Sequence, residues 1–210
     1  MKMPSLKPIS SFQNSKDTSH FILPSSFYVR EDVIQVAKNL LGKVLVSNSG
    51  NKLTAGIICE TEAYAGAVDR ASHAYSNRRT ARTEVLFQRG GISYVYLCYG
   101  IHYLFNVVTG IENVAHAVLI RNIIPIEGID TIKKRRGKKE NEPLTTGPGT
   151  LCQALRIRAD HNGISLQGPE LWIEDRGIVV QNKHIKSTPR IGVAYAGEDA
   201  LLPYRFLYEC

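Results

Sequence analysis

The chain has 210 residues and a formal net charge of +7, with a sequence pI of about 9.3. That length fits one domain able to bury its own core without staples. No apolar stretch is long enough to span a membrane, the N-terminus has no secretory h-region, and the basic balance favours a polyanion, nucleic acid first.

The four cysteines, Cys59, Cys98, Cys152 and Cys210, contain no Cys-x-x-Cys pair. The spacing argues against a zinc ribbon or an iron–sulfur loop, so no metal and no cofactor are expected. Reduced thiols in a reducing compartment are the default. The expected location is a bacterial cytoplasm, with nucleoid association, or a nucleus if the source is eukaryotic.

Residues 1–20 are polar and read as a flexible arm; residues 21–210 form the expected domain. Phe21 to Tyr28 reads as an extended lead-in, because Pro24 biases Leu23 away from helix. Arg30 to Leu41 has helical spacing of apolar residues and a stop at Gly42. Lys43 to Ser47 and Lys52 to Tyr64 read as strands around an Asn48–Asn51 turn. If the second strand alternates regularly, Ile58, Glu60, Glu62 and Tyr64 share one face. Two carboxylates and a phenol then meet at the end of an apolar strand, where burial can tune a carboxylate for acid–base work.

Ala67 to Arg82 is a polar, basic loop carrying His73, Arg78, Arg79 and Arg82. Thr83 to Phe87 reads as a short helix. Ile92 to Tyr103 has the aromatic, β-branched composition of a hairpin turning at Gly100, with Tyr94 and Tyr96 on one face and Tyr99 at the tip. Val114 to Ile124 reads as a strand with Arg121 in apolar surroundings. Ile126 to Arg136 reads as a helix ending in a basic cluster, either a solvated helix end or a phosphate contact. Thr146 and Gly147 precede a helix from Leu151 to Leu155, whose first amides would suit a phosphate or a plain cap. Leu171 to Glu174 and Arg190 to Ala194 read as strands.

Together, tyrosines can sandwich a planar base, an amide can read its edge, and an arginine can orient a carboxylate that activates water. A tyrosine at a hairpin tip can fill the gap left by a flipped nucleotide. Each residue also has a plainer account. The tyrosines could be sheet aromatics, His73 structural, Asn106 a turn cap, and Arg121 a partner for an inward carboxylate.

The sequence resembles the alkyladenine (3-methyladenine) DNA glycosylases of the mammalian type, a family with bacterial members. The resemblance rests on Glu60-Thr61-Glu62-Ala63-Tyr64-x-Gly66, Asp69 to His73, Tyr94-Val95-Tyr96-x-x-Tyr99-Gly100, Asn106, and Val118 to Arg121. It continues through Gly147-Pro148, Leu151 to Leu155, Arg190 to Val193, and Ala196-Gly197-Glu198. It implies that Glu62 is the general base and that Arg121 helps hold its water. Tyr64, His73, Tyr96, Asn106, Val193 and Ala194 would line the base pocket, with Asn106 disfavouring guanine. Tyr99 would be the intercalating wedge. Ala194 stands where relatives often carry glycine, which leaves the lesion range open.

The resulting expectation is a single α+β domain, a curved, mainly antiparallel sheet surrounded by helices. It would be a monomer acting on damaged double-stranded DNA, removing alkylated or deaminated purines by hydrolysis, with no membrane partner. Phosphate contacts are expected from Arg78, Arg79, Arg82, Thr146 and Gly147. The competing classes are a nonenzymatic nucleic-acid-binding module and a small-molecule hydrolase.

Overall fold

The computed structural model describes residues 21–139 and 141–208; the expected arm, residues 1–20, lies outside them. The strands form one curled antiparallel sheet, and short helices pack on an apolar face of it. Its strands are β1 (Val44–Asn48), β2 (Leu53–Tyr64), β3 (Ser93–Cys98), β4 (His102–Thr109), β5 (His116–Glu127), β6 (Leu171–Glu174), β7 (Ile185–Thr188) and β8 (Arg205–Tyr208). The order is β3-β4-β5-β2-β1-β6, with β8 joining β2 to β7. The expected α+β domain with a curved antiparallel sheet is the architecture found.

The helices are α1 (Ser25–Tyr28), α2 (Val33–Leu40), α3 (Ile129–Arg136) and α4 (Pro148–Leu155). Asp32 caps α2 by accepting the Gln35 amide at 2.9 Å, which satisfies a backbone donor the helix leaves open. Val33, Val36, Ala37 and Leu40 of α2 are buried. They join Leu151, Ala154 and Leu155 of α4 in one core with Ile58, Ile120 and Phe206 of the sheet. Each such fully buried aliphatic side chain contributes about 1.5–3 kcal/mol. Truncating Leu40, which is completely buried, would cost about 2–5 kcal/mol.

Some expectations change. Ser25 to Tyr28 is helical: Pro24 is extended at φ −67° and ψ 157° and serves as the N-cap, so its restriction falls on Leu23 and ends there. The strand β5 runs on to Glu127, and Gly128, at φ 68°, turns the chain into α3. A Cβ at Gly128 would run into the Leu53 carbonyl. Arg190 to Ala194 is not a strand. It is a bend leading into a 3-10 turn over Ala194–Leu201, and Arg190 is spent on a buried ion pair described below.

The most consequential departure is a double bulge. Pairing between β2 and β5 jumps from Ile58↔Ile123 to Glu60↔Asn122 and then to Thr61↔Ile120. Cys59 is therefore an extra residue on one strand and Arg121 on the other. The core residues of β5 are Val118 and Ile120, then Ile123, a step of three in place of two. On β2, Ile58 and Ala63 face the same core, and the Thr61 hydroxyl donates to the Ala37 carbonyl of α2 at 3.0 Å. Ile58 thus lies on the face opposite Glu62, against the regular alternation expected from sequence. At the same place β2 changes its other neighbour. Residues 53–57 pair with β1, whereas Glu60, Thr61 and Glu62 pair with Leu207, Phe206 and Arg205 of β8. A bulge and a partner change at one point bend the sheet and bring charged residues of three strands together.

Candidate active site

The bulge places Arg121 between two carboxylates. Its Nε donates to Glu60 Oε1 at 2.8 Å, and its Nη1 lies 3.3 Å from Glu62 Oε1. Arg205 of β8 donates to the same Glu60 oxygen at 2.6 Å. Glu62 is 0% exposed. Its Oε1 also accepts the Ile191 amide at 2.8 Å, and its Oε2 accepts the Tyr64 hydroxyl at 2.8 Å. Burial pushes the Glu62 pKa above its ordinary value and outweighs the lowering by Arg121, the Ile191 amide and Tyr64. The result is a carboxylate held in place from three sides and raised in basicity.

Asp69 and Arg190 fix the surrounding backbone. They form a buried ion pair, with Arg190 Nη2 donating to Asp69 Oδ1 at 2.8 Å. Asp69 also accepts the amides of Ala65 at 3.0 Å and Ala71 at 2.9 Å, closing the turn after β2. Arg190 donates to the Ala63 carbonyl at 2.8 Å, and its guanidinium stacks 4.8 Å from the Tyr64 ring centroid. The ion pair therefore ties Tyr64 to the segment whose Ile191 amide holds Glu62. The turn needs Gly66, at φ 57°, because a Cβ there would lie 2.6 Å from the Val114 carbonyl.

In front of this cluster is a half-open pocket lined by Tyr64, His73, Tyr94, Tyr96, Asn106 and Tyr195, among others. The Tyr94 and Tyr96 rings are 5.3 Å apart between centroids. His73 stands edge-on to Tyr96 at 4.8 Å and its Nδ1 is hydrogen-bonded to the Tyr94 hydroxyl at 2.9 Å. Burial first, then Arg82 and Arg78, lower the His73 pKa to about 4, so the imidazole is neutral near pH 7. The buried Asn106 amide donates to the Tyr94 carbonyl at 3.1 Å. Val193 packs with Ala71 and Ala196 against Tyr64. Ala194 is exposed and is not part of the pocket lining.

Tyr99 is 91% exposed at the β3–β4 tip, with φ 50°. Leu97 and Ile101 beside it are also exposed, so the tip is apolar. Arg78 and Arg82 line a cavity that adjoins the pocket at His73 and Tyr195, and Arg82 sits 4.8 Å from the Tyr96 centroid. Arg79 lines neither cavity: Glu84 holds it at 2.9 and 2.7 Å. The Thr146 amide donates to Thr150 Oγ1 at 2.9 Å, and the Gly147 carbonyl accepts the Thr150 hydroxyl at 2.7 Å. Among the described residues no group of three His, Cys, Asp or Glu side chains converges as a metal site.

Of the residues expected together, Glu62, Tyr64, His73, Tyr94, Tyr96, Asn106 and Arg121 lie around the pocket, while Tyr99 stands at the exposed hairpin tip and Val193 packs against Tyr64 without lining the pocket. Arg205 and Tyr195 were not among the residues expected at the site. Arg205 carries no local signal, since only the β2–β8 pairing aims it at Glu60. Tyr195 had one: an aromatic residue immediately after Val193-Ala194 in a motif already tied to the pocket.

The model of the methylpurine-DNA glycosylase family matches residues 26–209, and the chain belongs to that family. A protein of Chlamydia felis named "Putative 3-methyladenine DNA glycosylase" is 50% identical over 189 residues, covering 89% of this chain and 95% of its own. Proteins of the same name from Chlamydia pneumoniae, over 188 residues, and Bacillus cereus, over 198 residues, are each 44% identical. Both alignments cover 89% of this chain, with 94% and 95% of the relatives.

Proposed function

We propose that this protein is a monofunctional 3-methyladenine-type DNA glycosylase acting in base excision repair. It flips an alkylated or deaminated purine out of duplex DNA and hydrolyses its N-glycosidic bond. The observation that carries this reading is the juxtaposition of the arginine-held Glu62 with the tyrosine-lined pocket, joined by the 2.8 Å bond from Tyr64. The family's description and the relatives' names support a methylated purine in DNA as a substrate.

In this reading Tyr64 and Tyr96 stack on the flipped base, and neutral His73 contacts its edge or the nucleotide backbone. Asn106 lies where a guanine 2-amino group would clash. Glu62 removes a proton from water, the water oxygen attacks the sugar C1′, and the electron pair of the breaking bond leaves with the base. An abasic site remains. Alkylation makes the purine cationic and needs no acid to leave; a neutral base such as hypoxanthine must gain a proton. Arg121 keeps Glu62 ionised and aimed. Because Glu62 has no exposed surface, the water reaches it only when Tyr64 or the 190–195 segment shifts as the nucleotide enters.

Tyr99, with its exposed apolar neighbours, fills the space the base vacates. Arg78 and Arg82 meet phosphates beside the flipped nucleotide, and the Thr146–Gly147 loop meets another. No lysine lines the pocket among the described residues, so hydrolysis proceeds without an imine. The enzyme needs no metal or organic cofactor and works as a monomer, since one pocket serves one flipped base. Among the described residues no helix is long and apolar enough to cross a membrane, and the bacterial relatives support action on chromosomal DNA in a cytoplasm.

Base release from duplexes carrying one 3-methyladenine, 7-methylguanine or hypoxanthine tests the reading. Release with an abasic product, and no borohydride-trapped adduct, is expected. A covalent adduct to DNA contradicts the monofunctional mechanism. DNA binding without release of any of these bases leaves the binding-module reading in its place.

A further inference from the structure

A second basic feature lies away from the pocket. A cleft between the β3–β4 hairpin and α4 is lined by His102, Gly149, Arg135, Arg156 and Arg158, with no carboxylate in its wall. His102 lies directly on Gly149, where a Cβ would come within 2.7 Å of the imidazole. The first turn of α4 is thereby fixed beside the hairpin whose tip carries Tyr99. From there the cleft follows α4 to its last turn, about 12 Å at 1.5 Å per residue.

The arginines at the far end are more than the fold requires. Arg135 donates to the Ala154 carbonyl at 2.9 Å and lies 3.2 Å from Thr54 Oγ1. That satisfies the C-terminus of α4 and gives its dipole a cation. Arg156 and Arg158 are exposed and, among the described residues, neither meets a carboxylate. Burial first, and then the neighbouring charges of Arg156 and Arg158, lower the Arg135 pKa. Arg156 also occupies the left-handed C-cap position at φ 57°, where glycine is the usual residue. Three cations, one wall and no anion call for a ligand with spaced negative charges.

We infer that this cleft is a phosphate track that takes the sugar–phosphate backbone of one DNA strand as it runs from the Tyr99 wedge along α4 to Arg156 and Arg158. The occupant follows from continuity with the hairpin and rests on the glycosylase reading. A track of that length meets more than one phosphate of the strand, as the two exposed arginines at its far end require. It anchors the duplex beyond the lesion, so that the energy of holding the backbone helps keep the helix bent around the wedge.

The test is the salt dependence of binding to an undamaged 25-base-pair duplex. It compares wild type with Arg156→Gln/Arg158→Gln and with Arg156→Lys/Arg158→Lys, after matching unfolding midpoints confirm that both variants fold. Each phosphate contact contributes about 0.9 to the slope of log K against log salt. The expected result is a slope shallower by about 1.8 for the glutamine variant and close to wild type for the lysine variant. An unchanged slope in the glutamine variant overturns the track, and equal losses in both variants do the same by removing charge as the cause. Base release by wild type is scored separately. Failure of the track therefore leaves the glycosylase reading standing, and failure of that reading does not hide the result of the slope.

Discussion

The hydroxyl of Tyr64 donates to Glu62 Oε2 at 2.8 Å, on the carboxylate oxygen that Arg121 and Ile191 leave open. The bond makes the proposed base-stacking residue also a regulator of the proposed general base. A hydrogen bond to the charged form lowers a carboxylate pKa, so Tyr64 offsets part of the rise that burial causes. Tyr64→Phe keeps the ring and removes the donor. The acid limb of the single-turnover rate should therefore move to higher pH. A limb that stays where it was would show that the phenol does not tune Glu62.

In wild type the rate should rise with pH, because the base acts when ionised. With the Glu62 pKa raised, that rise lies above the ordinary carboxylate range. His73 does not contribute to it, since its pKa is lowered to about 4. A pH–rate profile of His73→Gln that retains the wild-type limb position supports this assignment; a shifted limb assigns the titration to His73.

His73 has a separate effect on stability. Its folded pKa lies below its unfolded value of 6.5, so the folded state resists taking up its proton. The stability from this group is fully present above pH 6.5 and is lost as pH falls toward 4. Urea midpoints between pH 4 and 7 should therefore fall less steeply for His73→Gln than for wild type. Parallel curves would mean that the imidazole is not desolvated in solution.

The Asp69–Arg190 pair is buried on both sides. Removing one partner leaves an uncompensated charge, which costs about 3–5 kcal/mol. Asp69→Asn should show that loss in denaturant unfolding, and slower base release, because the Ile191 amide loses its fixed distance to Glu62. A loss below about 1 kcal/mol would mean that water replaces the carboxylate.

Much of this site was legible in the sequence, for reasons that differ by residue. Tyr94, Tyr96 and Tyr99 were placed because a hairpin is a local structure: β-branched and aromatic strands with a turn glycine fix which rings share a face. Glu62 and Tyr64 were placed because they stand two residues apart beyond the bulge, where alternation holds. Ile58 was misplaced because the extra residues Cys59 and Arg121 belong to the pairing of two distant strands, and no single-strand period reveals them. Arg190 to Ala194 has the composition of a strand, yet the buried ion pair with Asp69 takes Arg190 out of any sheet. The strands β7 and β8 are four residues each and owe their existence to the open edge of β2, a tertiary fact.

Tyr99 carries almost no packing, being 91% exposed. Tyr99→Ala should leave the unfolding free energy within about 0.5 kcal/mol, while base release and affinity for lesion-bearing duplex fall more than nonspecific affinity. Equal losses for damaged and undamaged DNA would count against the wedge.

The most direct measurement is single-turnover release from a duplex carrying one 3-methyladenine or one hypoxanthine, by wild type and Glu62→Gln at saturating protein. Release by wild type, slowed roughly 10²–10⁴-fold in the variant with DNA binding retained, is the predicted result. Equal release by both proteins would contradict the assignment of Glu62 as the base that activates water.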